Sequence, residues 1–147
     1  MRKKIQLIGI FTLSFVLVQY CGGKEIKDAE GKKISKVEKI DGGKSKIVYE
    51  PEENGVRKEV VLNKEKKEEV SYYSSDKLQK KVKYENGQIS QVILYKEDGS
   101  IRSIVHYQNG KISMVEIPSQ KKKVYYDESG KITKVEVAKQ EKQNKES

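Results

Sequence analysis

From residue 31 onward, short runs of alternating apolar and polar residues are cut at nearly constant intervals by turn formers. Glycines fall at Gly31, Gly43, Gly55, Gly87, Gly99, Gly110 and Gly130, mostly eleven or twelve residues apart or a multiple of that. Turn-like residues near Lys66, at Asp76 and at Ser119-Gln120 fill the missing beats. The intervening stretches are rich in Val, Ile and Tyr, which suit a pleated, half-buried surface. Asn-Gly and Asp-Gly supply the positive φ angles that tight hairpins need. The pattern predicts an all-β chain, an antiparallel β-meander in which each strand pairs with the next. About ten strands are expected, at 32–41, 44–50, 56–63, 68–74, 78–85, 88–95, 101–107, 111–117, 121–127 and 131–138. Helix is the weaker assignment, because no run after residue 21 keeps apolar residues at three- and four-residue intervals.

The repeating phrase is Tyr, a few polar residues, Gly, one residue, Ile, two residues, then Val or Ile. It reads Tyr84-Glu85-Asn86-Gly87-Gln88-Ile89 to Val92, and Tyr95-Lys96-Glu97-Asp98-Gly99-Ser100-Ile101 to Ile104. It recurs from Tyr107 through Gly110 and Ile112 to Val115, and from Tyr126 through Gly130 and Ile132 to Val135; a degenerate early copy runs from Gly31 through Ile34 to Val37. In an unbroken strand Ile89 and Val92 would point to opposite faces, since the side-chain period is two. Either a β-bulge after each turn resets the alternation, or both faces carry apolar cover. A curled sheet, the expected form, or a small open barrel would let one face make the core, whereas a flat single layer would rely on tyrosine ladders and lysine stems.

The first 21 residues follow a different logic. Arg2, Lys3 and Lys4 form a basic head, Ile5 to Tyr20 is a mainly apolar run, and Cys21, the only cysteine, follows. Basic head, apolar core and cleavage region mark a secretory signal. The run is shorter than the roughly 20 residues of a membrane span and contains Gln6 and Gln19. The competing readings are a plain signal peptide and an uncleaved anchor. With Val18 three residues before Cys21, the segment resembles bacterial lipoprotein signal peptides; Tyr20 stands where that family has a small residue, as in the lax signals of spirochaetes. The resemblance implies cleavage before Cys21 and lipidation of its thiol. It also implies a bacterial envelope location on the outer membrane or cell surface, the membrane being reached through lipid on Cys21. The expected organisation is a helical signal peptide at 1–20, anchor and linker at 21–30, the repeat domain at 31–138 and a disordered tail at 139–147.

Charge narrows the function. The chain has 31 basic and 22 acidic residues; without the three basic residues of the signal, the rest carries a net +6. Arg57 and Arg102 are its only arginines. Lysine is a hydrated point charge without arginine's bidentate fork, and no basic cluster interleaves with aromatics, so nucleic acid is not an expected partner. His106 is the only histidine, placed on the strand face opposite Val105 and Tyr107, where a surface role is expected. One histidine and one cysteine cannot make a zinc site of ordinary ligand type. No phosphate-binding glycine loop or serine elbow is present. The carboxylates cluster at turns, as at Glu97-Asp98 and Asp127-Glu128, and read as solvated loop residues. No catalytic residues, metal or cofactor are expected, and the chain is read as a non-enzyme.

The repeat resembles the tyrosine-aspartate repeats of large bacterial surface and toxin-delivery proteins, of which Tyr126-Asp127-Glu128-Ser129-Gly130-Lys131-Ile132 is a fair copy. It also resembles the MORN-variant repeats of YwqK-like antitoxin proteins. The likeness is good over residues 84–137 and poor over 31–83. With no catalytic constellation in the chain, the sheet is read as a non-catalytic binding or structural module whose exposed edges or tyrosine-bearing face, with Tyr84, Tyr95, Tyr107 and Tyr126 as candidate contacts, would meet another protein. The alternatives are an immunity or antitoxin-like protein neutralising a partner toxin, and an electrostatic adhesin for acidic surface polymers.

Overall fold

The structure is a computed structural model that describes residues 25–138. The signal segment, Cys21 and the tail after residue 138 lie outside the described residues. The strands are β1 (Ile26–Lys27), β2 (Lys33–Ile40), β3 (Lys44–Tyr49), β4 (Val56–Asn63), β5 (Lys66–Ser74), β6 (Lys77–Glu85), β7 (Gln88–Tyr95), β8 (Ile101–Gln108), β9 (Lys111–Ile117), β10 (Lys122–Tyr126) and β11 (Ile132–Val137). They form one 11-stranded open sheet in strict sequence order, each antiparallel to the next. The meander is as expected, with one strand more than the periodicity suggested. That strand, β1, is two residues long, too short to show alternation, and it extends the sheet into the 21–30 stretch.

Two turn geometries recur along the chain, with short 3-10 links at Asp41–Gly43 and Pro118–Gln120 beside them. In the first, both central residues of a two-residue link take positive φ: Asn86 (50°) with Gly87 (79°), and Asn109 (51°) with Gly110 (76°). This is the type I′ hairpin turn, whose twist matches the strands it joins. In the second, a four-residue loop closes on itself. The Lys96 amide donates to the Ser100 carbonyl and the Gly99 amide to the Lys96 carbonyl; Asp28 and Asp127 begin the same pattern. Side chains complete these loops. Asp127 Oδ1 accepts from the Ser129 amide (2.9 Å), the Ser129 hydroxyl (2.6 Å) and the Lys131 amide (3.0 Å). Those bonds favour the ionised carboxylate and hold Asp127 below the usual carboxylate range.

The three-residue offset in the repeat has a direct cause. Tyr84 pairs with Ile89 while Lys83 pairs with Gln91, leaving Ser90 as an extra residue. Arg102, Ser113 and Thr133 are extra in the same way after the turns at 96–100, 109–110 and 127–131, so the bulge follows both turn geometries. Each is a β-bulge that restores the face of the preceding isoleucine. Two bulge serines hydrogen-bond across the break: Ser90 to the Lys83 carbonyl (3.3 Å) and Ser113 to the His106 carbonyl (3.2 Å).

With the bulges in place, directly opposed residues form continuous rows across the sheet. One row runs Val37, Ile47, Val60, Val70, Val82, Val92, Val105, Val115, Val124 and Val135. Its centre is the core: Val70 is 2% exposed and Val60 5%, with Ile34, Tyr49, Leu62 and Val82 around them. Lysine stems and tyrosine rings flank it, with Lys58 Nζ 4.0 Å from the Tyr49 ring centroid and Lys80 Nζ 4.3 Å from that of Tyr72. Such pairs keep a cation near water while its methylenes cover apolar surface.

The opposite face carries the row Lys36, Val48, Glu59, Ser71, Lys81, Ile93, Ile104, Glu116, Lys123 and Glu136. Its ends are ionic, with Lys46–Glu38 at 3.0 Å and Arg57–Glu59 at 2.5 Å. Its middle is apolar, and Ile93 is buried. Both explanations of the offset therefore apply: bulges reset the alternation, and the second face has apolar cover of its own over β7 and β8.

Burial, with the Asp28 and Glu30 carboxylates nearby, pushes the Tyr49 phenol up to about 12. The neutral ring is the form that the fold favours, so its contribution is complete below the unfolded value near 10 and is lost as pH rises from there toward 12. Replacing Tyr49 by Phe keeps the ring under Lys58 and removes this titration. Urea midpoints measured between pH 9 and 12 should fall less steeply for Tyr49→Phe than for the parent; identical slopes would count against the burial of the hydroxyl.

Candidate functional site

The four tyrosines do not form one surface. Strands β6, β8 and β10 run in the same direction, and each carries, at or one residue before its end, a tyrosine two residues beyond the valine row: Tyr84 after Val82, Tyr107 after Val105, Tyr126 after Val124. All three share the valine face and one end of the sheet. Tyr95 ends β7, which runs the other way, and follows Ile93. It therefore lies at the opposite end and on the opposite face.

Each of the three aligned tyrosines faces an isoleucine across its hairpin: Tyr84 with Ile89, Tyr107 with Ile112, Tyr126 with Ile132. The tyrosines are half-buried. The isoleucines are exposed, at 38%, 41% and 54%. Tyrosines on alternate strands stand about 9.6 Å apart, twice the spacing of neighbouring strands. The result is a stripe across β6–β11 in which rigid aromatic rings alternate with exposed aliphatic tips. Lys67 Nζ lies 5.5 Å from the Tyr84 ring centroid at one end of the stripe. Burial pushes the Tyr84 phenol upward, so its hydroxyl is neutral at physiological pH. A ring with two torsions, an apolar body and a polar tip makes contacts at small entropic cost.

The isoleucines are the part that the tyrosine-centred reading missed. They stand in every copy of the repeat, but a period-two strand would scatter them between faces; only the bulge gathers them. Cys21, the expected lipidation site, lies outside the described residues.

His106 sits on the face expected of it. Its Nε2 is 2.7 Å from Glu116 Oε1, and Lys123 Nζ is 3.5 Å from Glu116 Oε2. The three side chains are partly exposed and lie on a strand surface between Met114 and Gln91, the cross-strand neighbours of His106. The three side chains make a cross-strand polar ladder of the kind that sets pairing on a sheet face. Among the described residues, no group of three or more His, Cys, Asp or Glu is placed to hold a metal ion. Among them too, no helix is long and apolar enough to cross a membrane.

No family model matches the chain, and no curated protein matches it. Its likeness is to parts of larger solved structures. The crystal structure of TarM aligns at a TM-score of 0.51 and 14% identity, covering 74% of this chain and 20% of TarM. The GtfA/B complex bound to UDP and GlcNAc aligns at 0.51 and 11% identity, covering 86% of this chain and 29% of the matched one. The chain thus spans less than a third of the length of either protein, and the likeness is one of fold alone.

Proposed function

We propose that this chain is a lipid-anchored bacterial envelope protein whose sheet is a non-catalytic binding module, with the tyrosine–isoleucine stripe as its contact surface for another protein. The observation that carries the reading is the exposure of Ile89, Ile112 and Ile132 beside three aligned tyrosines. Exposed aliphatic side chains gathered into one stripe, rather than scattered singly, are a feature of interaction sites. The anchor rests on the order of basic head, apolar run and Cys21.

Two experiments test it. Mass spectrometry of the mature protein should find Cys21 as the first residue with its thiol lipidated; an intact Met1 would remove the anchor. A photo-crosslinking residue at Ile112 in intact cells should give one discrete heavier adduct, and the same residue at Lys96, on the far end of the sheet, should give none. Absence of an adduct at Ile112, Ile89 and Ile132 alike would remove the stripe as a contact surface.

A further inference from the structure

The sheet is open, and its two edges are unequal. β1 is two residues long, whereas β11 is six. The amide of Ala138 donates to the Lys121 carbonyl at 3.1 Å. Antiparallel strands alternate the direction of their backbone groups, so Lys134 and Glu136 turn theirs toward β10. Val135 and Val137 turn theirs to the open edge. Exposure changes sharply here: Val124, in the same row one strand inward, is 8% exposed, whereas Val135 is 50% and Val137 is 61%. The side chain that elsewhere in the row is covered by the next strand has no next strand among the described residues.

The order of side chains on β11 is self-complementary. If a second β11 is laid antiparallel beside the first with Val135 opposite Val135, the valine row continues across the join. Lys134 of each copy then faces Glu136 of the other on the charged face. Val135 opposes its counterpart as a pair exchanging both N–H···O bonds, which is the pairing that its outward backbone groups require. Shifting the register by one residue would set lysine against valine and send the side chains to the wrong faces. Exposed strand edges are commonly guarded by lysine against indiscriminate pairing; here Lys134 is matched by Glu136, so the guard admits one partner and one register. The contact is two-fold and closes on itself, whereas edge-to-edge growth through β1 would have only two residues of strand to use.

We infer that β11 is a homodimerisation edge, and that two copies of the chain join there antiparallel about Val135 to make one continuous sheet. Cross-strand charge pairs contribute roughly 0.2–1 kcal/mol each, and like charges directly opposite cost a comparable amount. Each single charge reversal replaces two attractive pairs per dimer by two repulsive ones. Sedimentation velocity on the full chain at concentrations up to about 100 μM should show dimer. Lys134→Glu should weaken it on the order of tenfold, as should Glu136→Lys, and the double swap should restore it. Val135→Pro deletes an outward N–H and not one that bonds β10, so it should abolish the dimer and keep the thermal transition of the fold. A monomer at every concentration would overturn the inference. So would a dimer indifferent to the charge swaps, which would locate the contact elsewhere; the swaps decide the matter even if the proline variant fails to fold.

Discussion

A chain carrying Val70→Asp is expected to lose most or all of its folded population at neutral pH. Val70 is the most buried of the core side chains, 2% exposed, and is opposed by Val60 on one side and Val82 on the other. A carboxylate there forfeits about 1.5 kcal/mol or more of apolar burial. It must also lose its water without a hydrogen-bonding partner, a further cost of several kcal/mol. The apolar cluster is small, built around Ile34, Tyr49, Val60, Leu62, Val70 and Val82, and domains hold only about 5–15 kcal/mol in total. The row supplies its own control. Val37→Asp is chemically the same change in the same row at a 41% exposed site and should cost under about 0.5 kcal/mol, as surface substitutions do. Urea unfolding followed by circular dichroism separates the two. Equal midpoints for both variants would mean that the row is not the core.

The second large effect is a gain. Lys64 and Glu65 link β4 to β5 with φ of 45° and 68°, and Ser75 and Asp76 link β5 to β6 with 48° and 58°. These are type I′ links without Gly or Asn. For an ordinary L-residue the left-handed region costs roughly 1–2 kcal/mol. Replacing Lys64-Glu65 by Asn-Gly, the pair found at 86–87 and 109–110, should stabilise the chain by about 2 kcal/mol with the urea slope unchanged. Glu65 has no side-chain hydrogen bond or ion pair among the described residues, so no contact offsets the gain. An unchanged midpoint would show that the link relaxes to another turn in solution.

The same two links explain what could be read in advance. Turns with Asn-Gly or Asp-x-x-Gly declare themselves, and the strands between them fall within a residue or two of where the alternation places them. The links at 64–65 and 75–76 carry no such chemistry and show only as gaps in the rhythm. The bulges were legible as an inconsistency: Ile89 and Val92 cannot share a face of a regular strand, yet every copy keeps the offset. What remained hidden depends on parity. Tyr84 and Tyr95 occupy the same place in the repeat, but successive strands reverse direction, and Tyr95 follows Ile93 rather than a member of the valine row. Four equivalent residues in the text become a set of three and an outlier in space. The symmetry of Lys134 and Glu136 about Val135 was likewise invisible until the register and the direction of the Ala138 amide defined which groups face outward.

Strict sequence order has a mechanical consequence. The first and last strands sit at opposite margins, so tension drawn through the chain's two ends acts across the ladder rather than along it. The hydrogen bonds are then loaded a few at a time, as in a zipper, instead of together in shear. Each strand released yields slack at about 3.4 Å per residue. Of the strands left behind, only the one at the new margin loses a partner, because every strand pairs only with its sequence neighbours. Such a sheet is compliant: under load it lengthens in steps, and when slack returns it re-forms from whichever hairpins are still closed.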